Sequence, residues 1–138
     1  EPAKSFSLLA SYAYTRAQVT KDADNAANVG AWLSRVPKHS GRVAARYRFV
    51  DGALKGFGIG AGVTAASGAY TTLPNTDKTK GYAVFDAQAS YETGPFKISA
   101  TVTNLTDKLY FQPYLYLNQS VVRPGTPRSA FVTFSVTY

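Results

Sequence analysis

The sequence predicts an all-β chain, an antiparallel meander of about six long strands of the transmembrane β-barrel kind. Three observations carry this. Six stretches alternate apolar and polar residues with period two, the signature of a strand with two unlike faces. The connections between them run long, short, long, short, long, which in a meander puts every long loop at one end, as in membrane barrels. The polar faces, outside the second strand, are mostly Gly, Ala, Ser, Thr and Gln rather than the Lys and Glu that solvate a soluble sheet.

In chain order, residues 5–20 (SFSLLASYAYTRAQVT) set Phe6, Leu8, Ala10, Tyr12 and Tyr14 against Ser7, Ser11 and Thr15. Residues 21–40 are rich in Asp, Asn and Gly, contain Pro37, and read as a long loop. Loops of that length tend to carry function. The second strand covers 42–50, with Val43, Ala45, Tyr47 and Phe49 opposing Arg42, Ala44, Arg46 and Arg48. Asp51-Gly52 then supplies the positive-φ geometry of a tight turn over 51–56.

The third strand, 57–70, alternates Phe57, Ile59, Ala61 and Val63 with Gly58, Gly60, Gly62 and Thr64, leaving one bare face with room for other groups. A second polar loop spans 71–80. The fourth strand, 81–92, sets Ala83, Phe85, Ala87, Ala89 and Tyr91 against Tyr82, Val84, Asp86, Gln88 and Ser90. Thr93, Gly94 and Pro95 turn into the fifth strand, where Phe96, Ile98, Ala100 and Val102 oppose Lys97, Ser99, Thr101 and Thr103 before the turn-type residues Asn104 to Lys108. Residues 111–126 read as a third long loop and 127–138 as the last strand, whose terminal aromatic, Tyr138, is the expected periplasmic end of a closing strand.

Composition narrows the function. Ten Tyr and eight Phe stand beside one Trp, no Met and no Cys, so the rings lean towards β structure while a disulfide scaffold and a thiolate metal site are excluded. A net charge of +7 raises nucleic acid as a partner, but the Lys and Arg are scattered over loops and turns. A solvated or lumen-facing basic surface is the better account, with no nucleic-acid partner. No run approaches the roughly 20 apolar residues of a membrane-spanning helix. The first residues do not form a signal peptide, so the chain is expected to be mature or to have lost its beginning.

His39, the lone histidine, has no Cys or carboxylate cluster beside it and reads as a loop residue, not a metal or catalytic group. Gly58, Gly60 and Gly62 alternate strictly and precede no helix, so they are not a dinucleotide loop. Asp86 belongs on the lumen side, since a carboxylate facing lipid is costly, with Arg46 or Arg48 as its expected partner. No acid, base and nucleophile occur together at a defined spacing, so the chain reads as neither an enzyme nor the holder of a cofactor. The Asn104-Leu-Thr and Asn118-Gln-Ser tripeptides match the glycosylation pattern by a short motif alone.

Several stretches taken together resemble a known family, the TonB-dependent outer-membrane receptors, in their siderophore branch. They are VPKHSGRVAARYRF (36–49), LKGFGIGAGV (54–63), GYAVFDAQASY (81–91), VTNLTDKLYF (102–111) and RPGTPRSAFVTFSVTY (123–138). The resemblance covers nearly the whole chain in order. It implies that residues 1–138 are the C-terminal segment of a barrel of about 22 strands with a plugged lumen. The plug domain and the remaining strands would lie outside this sequence.

The same resemblance implies a bacterial outer-membrane location and contact with membrane lipid. It further implies a ferric siderophore as the parent receptor's ligand and TonB as a partner reached through the missing plug. Under it, the rings of Trp32, Tyr70, Tyr110, Tyr114 and Tyr116 are candidates to enclose a chelate and Arg123 to attract an anionic one, against a girdle role for each ring. Two other classes share the alternation. One is a small stand-alone outer-membrane barrel in adhesion or structure, the other a soluble β-barrel that binds an apolar ligand.

Overall fold

The computed structural model describes residues 5–137 and is built almost wholly from antiparallel strands. β1 (Phe6–Tyr14), β2 (His39–Arg48), β3 (Phe57–Ala66), β4 (Tyr82–Thr93), β5 (Phe96–Thr103) and β8 (Ser129–Val136) form one six-stranded sheet in that order. Two further strands, β6 (Phe111–Tyr116) and β7 (Gln119–Pro124), pair only with each other. Tyr138 lies outside the described residues.

The register keeps each parity on one face across all six strands. Phe6 pairs with Tyr47, Tyr47 with Ile59, Ile59 with Ala89, Ala89 with Ala100 and Ala100 with Val132. One face is therefore continuously apolar and the other carries the glycines, arginines and hydroxyls.

Among the described residues only two hydrophobic side chains are buried, Ala69 and Val84. Large apolar side chains on the first face lie open instead, with Leu8 57% exposed, Ile59 55% and Val132 73%. A soluble sheet turns such a face onto a core; among the described residues nothing covers it, and an apolar face of this extent suits lipid. Rings gather where this face ends. Near the tight turns Tyr47 meets Phe49 edge-on at 4.9 Å, Phe57 meets Tyr91 at 4.6 Å and Phe96 stacks with Phe134 at 6.1 Å. At the opposite end Tyr12 and Tyr14 flank His39. That is the double aromatic girdle of a membrane strand array.

Several boundaries differ from the sequence reading. β1 ends at Tyr14 rather than at residue 20, and β3 at Ala66 rather than at residue 70; beyond those points only the isolated bridges Gln18 to Trp32 and Tyr70 to Lys78 remain. β2 begins at His39, which is thus a strand residue and not a loop residue. It pairs with Tyr14 across the ladder, and its Nδ1 lies 2.8 Å from the hydroxyl of Tyr12.

The expected third loop contains the β6–β7 hairpin. Its turn residues Leu117 and Asn118 both have positive φ, 46° and 61°, the geometry hairpins favour. Leucine gives no hint of such a turn, which is why the hairpin escaped the pattern.

The turn after β5 is held by Asn104, which is only 3% exposed. Its amide nitrogen donates to the carbonyls of Lys108 and Thr126, both at 3.0 Å, and its Oδ1 accepts from the Lys108 N–H at 2.8 Å. Asp107 accepts from the Arg128 N–H at 3.0 Å. Asn104 and Asp107 both take positive φ, 49° and 52°, a conformation their short polar side chains tolerate. The NLTD run thus ties the exit of β5 to the start of β8.

Candidate functional site

The polar face is built on the glycines of β3. Arg42, Arg46 and Arg48 of β2 cross them to reach β4. Arg42 pairs with Asp86 at 3.2 Å, Arg48 with Glu92 at 3.5 Å, and Arg46 lies 3.4 Å from the Ser90 hydroxyl. A Cβ at Gly58 would sit 2.7 Å from that hydroxyl, and one at Gly62 3.5 Å from the Arg42 guanidinium. The bare face is therefore a trough that seats three arginines. Asp86 takes Arg42, not the expected Arg46 or Arg48, because the register gives each arginine the same diagonal reach across β3, to a partner 44 residues on, which carries Arg46 to Ser90 and Arg48 to Glu92. Its second oxygen accepts the Asn104 N–H at 3.2 Å, joining the wall to the β5 exit. A concavity of ≈ 470 Å³ opens on this wall.

The long loops meet above the wall. Asn75 of the second loop clasps the peptide of Trp32 in the first: Trp32 N–H donates to Oδ1 at 2.6 Å, and Nδ2 donates to the Trp32 carbonyl at 2.7 Å. The Arg35 N–H donates to the Tyr70 carbonyl at 2.7 Å. In the first loop Asp22 accepts from Asn28 at 2.8 Å and from the N–H groups of Asn25 and Asp24, both at 3.0 Å. These bonds, the Asn28 amide foremost, hold its carboxyl below the ordinary carboxylate range.

The hairpin is anchored from beneath. Gln112 of β6 donates to the Tyr82 hydroxyl at 2.9 Å, and Tyr82 packs against Tyr110 at 4.3 Å. Tyr110 lies over Gly125, where any Cβ would run into its ring. Arg123 of β7 stands opposite Gln112 in the ladder and faces the same cavity of ≈ 220 Å³, which Arg35, Lys80 and Tyr82 also line.

The six candidate residues therefore do not share one pocket. Trp32 lies under the Lys38 ammonium at 3.6 Å and Tyr70 under Lys78 at 5.3 Å. Tyr114 carries Arg123 at 5.0 Å, Tyr110 is a packing ring, and Tyr116 stands 60% exposed near the hairpin tip. Sequence reading missed Tyr82, Gln112, Arg35 and Asn75. Tyr82 alone was signalled, as a ring on the polar parity at the outer end of its strand. Among the described residues no cluster of three or more His, Cys, Asp or Glu side chains could hold a metal ion.

The TonB-dependent receptor-like β-barrel family model matches residues 4–105. The metal-pseudopaline receptor CntO of Pseudomonas aeruginosa is 35% identical over 136 residues, which are 95% of this chain and 18% of that protein. The ferric-pyoverdine M114 receptor PbuA of Pseudomonas sp. (strain M114) is 38% identical over 109 residues, 75% of this chain and 13% of its own. The crystal structure of BauA, the ferric preacinetobactin receptor from Acinetobacter baumannii, superposes with a TM-score of 0.84 at 25% identity, over 98% of this chain and 20% of that one. The chain spans less than a fifth of the length of either curated relative.

Proposed function

The chain belongs to the TonB-dependent receptor β-barrel family of the Gram-negative outer membrane, and on that footing we propose that it is the closing stretch of barrel wall and part of the outer vestibule of a receptor for a ferric siderophore. One observation carries the reading: a single sheet turns an uncovered apolar face outward and an arginine-bearing polar face inward, with its long loops knitted together at one end. A lipid-facing wall around a wet lumen has that division, and a soluble ligand-binding barrel has the reverse.

In the proposed receptor the chemistry is recognition. A plug domain outside this sequence fills the lumen and responds to TonB. The trough arginines stiffen the wall, because their guanidinium groups are engaged by β4. The mouth does the binding, with Tyr114, Tyr116 and Arg123 on the hairpin, and Trp32 and Tyr70 shaping the loops from beneath their lysines. Tyr110 acts through the hairpin it positions.

The test is uptake of radio-iron from a panel of ferric siderophores by cells that express the whole receptor, with and without TonB. The reading expects at least one chelate to enter only when TonB is present. Uptake of none, or equal uptake without TonB, overturns it.

A further inference from the structure

Two groups of cations among the described residues stand in contrast. Among the described residues the ion pairs engage Arg42, Arg48 and Arg128. Arg35, Lys80 and Arg123 converge on the ≈ 220 Å³ cavity at the mouth, whose lining includes no carboxylate. The adjoining cavity of ≈ 880 Å³ shares Lys80 and adds Lys78 and Lys108 against one acid, Asp77. Asp77 accepts from the Thr76 hydroxyl at 3.2 Å, and its single negative charge faces three ammonium groups.

The three side chains are exposed to solvent, while the main chain that carries Arg35 and Arg123 is anchored. Arg35 follows a backbone bond to Tyr70, and Arg123 sits opposite Gln112, which Tyr82 fixes. Like charges gathered without counter-charges repel one another, and that repulsion is relieved by an anion. Two planar guanidinium forks suit paired oxygens.

Resting on the receptor reading above, we infer that this mouth selects a net-anionic ferric chelate whose outward oxygens are received by Arg35, Lys80 and Arg123. A neutral trihydroxamate complex would leave the three cations uncompensated. Carboxylate and catecholate complexes both present the required anionic oxygens.

The experiment measures binding to outer membranes carrying the whole receptor. The probes are ferric citrate, a ferric tris-catecholate and the neutral trihydroxamate ferrichrome, and the proteins are wild type, Arg123→Gln and Arg35→Gln/Lys80→Gln. Retained heat-modifiable migration on gels shows that each variant folds. Wild type is expected to bind one or both anionic chelates at least tenfold more tightly than ferrichrome, and each variant to lose about tenfold or more towards the anionic chelates alone. The citrate and catecholate arms separate the two sources of charge. Preference for ferrichrome, or anionic binding unchanged in folded variants, overturns the inference while leaving the receptor reading intact. Binding of none of the three by folded wild type overturns both.

Discussion

The barrel wall and the mouth above it use the same kind of charge in opposite ways. In the wall, Arg42 and Arg48 meet carboxylates on β4, and Arg46 meets a hydroxyl, across a strand stripped to glycine so that they fit. At the mouth, Lys38, Lys78 and Arg123 lie over rings, and the cavity receives Arg35, Lys80 and Arg123 without an acid. The difference teaches that the +7 charge is no single property of the chain. In the wall charge is a structural fastener; at the mouth the cavity-lining cations face no acid.

The comparison can be broken most forcefully at the joint between the two regions. Asn104→Ala removes three side-chain hydrogen bonds from a buried turn and places alanine at positive φ. A loss of about 3 kcal/mol is expected at about 1 kcal/mol per bond, read as earlier thermal conversion of the folded band on gels. An unchanged transition would show that the NLTD turn does not tie β5 to β8.

Next comes the loop clasp. Asn75→Ala should release the first two long loops from each other by about 1–2 kcal/mol, seen as faster amide exchange at Trp32 with the strands unaffected. Exchange that spreads into β2 and β3 would mean that wall and mouth are one unit.

A smaller effect is expected within the wall. Asp86→Asn ends the ion pair with a half-exposed Arg42 yet keeps an oxygen for the Asn104 N–H, so stability should fall by less than about 1 kcal/mol. The smallest concerns Asp22. Its carboxyl is held below its ordinary value of 3.8, so the charged form supports the local turn. That support is complete above the ordinary range and is lost as pH falls through the lowered value. Protection of the Asp24 and Asn25 N–H groups, taken relative to intrinsic exchange at each pH, should hold until pH drops below 3.8 and then fall; loss of protection above it would contradict the assignment.

What could be read from sequence follows the range of the interactions. Strand faces are local, and the parity of Val43, Ile59, Phe85 and Ile98 marked the outward face before any pairing was known. The Asp51-Gly52 turn was equally local, and Gly52 and Gly56 take φ of +74° and +90°. The wall pairs were half legible: Arg42, Arg46 and Arg48 share a parity, but which one meets Asp86 depends on a register 44 residues away. The Asn75 clasp joins positions 43 residues apart through main-chain atoms, for which no side-chain pattern exists. The rings were found as rings, but not their partners. A lysine over Trp32 or a glycine beneath Tyr110 is set by how the loops fold back.

The division of wall from lumen rests on which face meets lipid, and a sequence without cysteine lets that be measured with introduced thiols. Single cysteines at Val43, Ala61, Ala87 and Ala100, and at Ala44, Gln88, Thr101 and Thr133, would be placed in the whole receptor in native outer membranes. The first four should resist a water-soluble maleimide and, once labelled with a fluorophore, be quenched by brominated lipid. The second four should react with the maleimide when the lumen is opened to solvent and be indifferent to the lipid. Equal quenching of both sets, or the reverse pattern, would contradict a wall with lipid on its apolar face and a lumen on its arginine face.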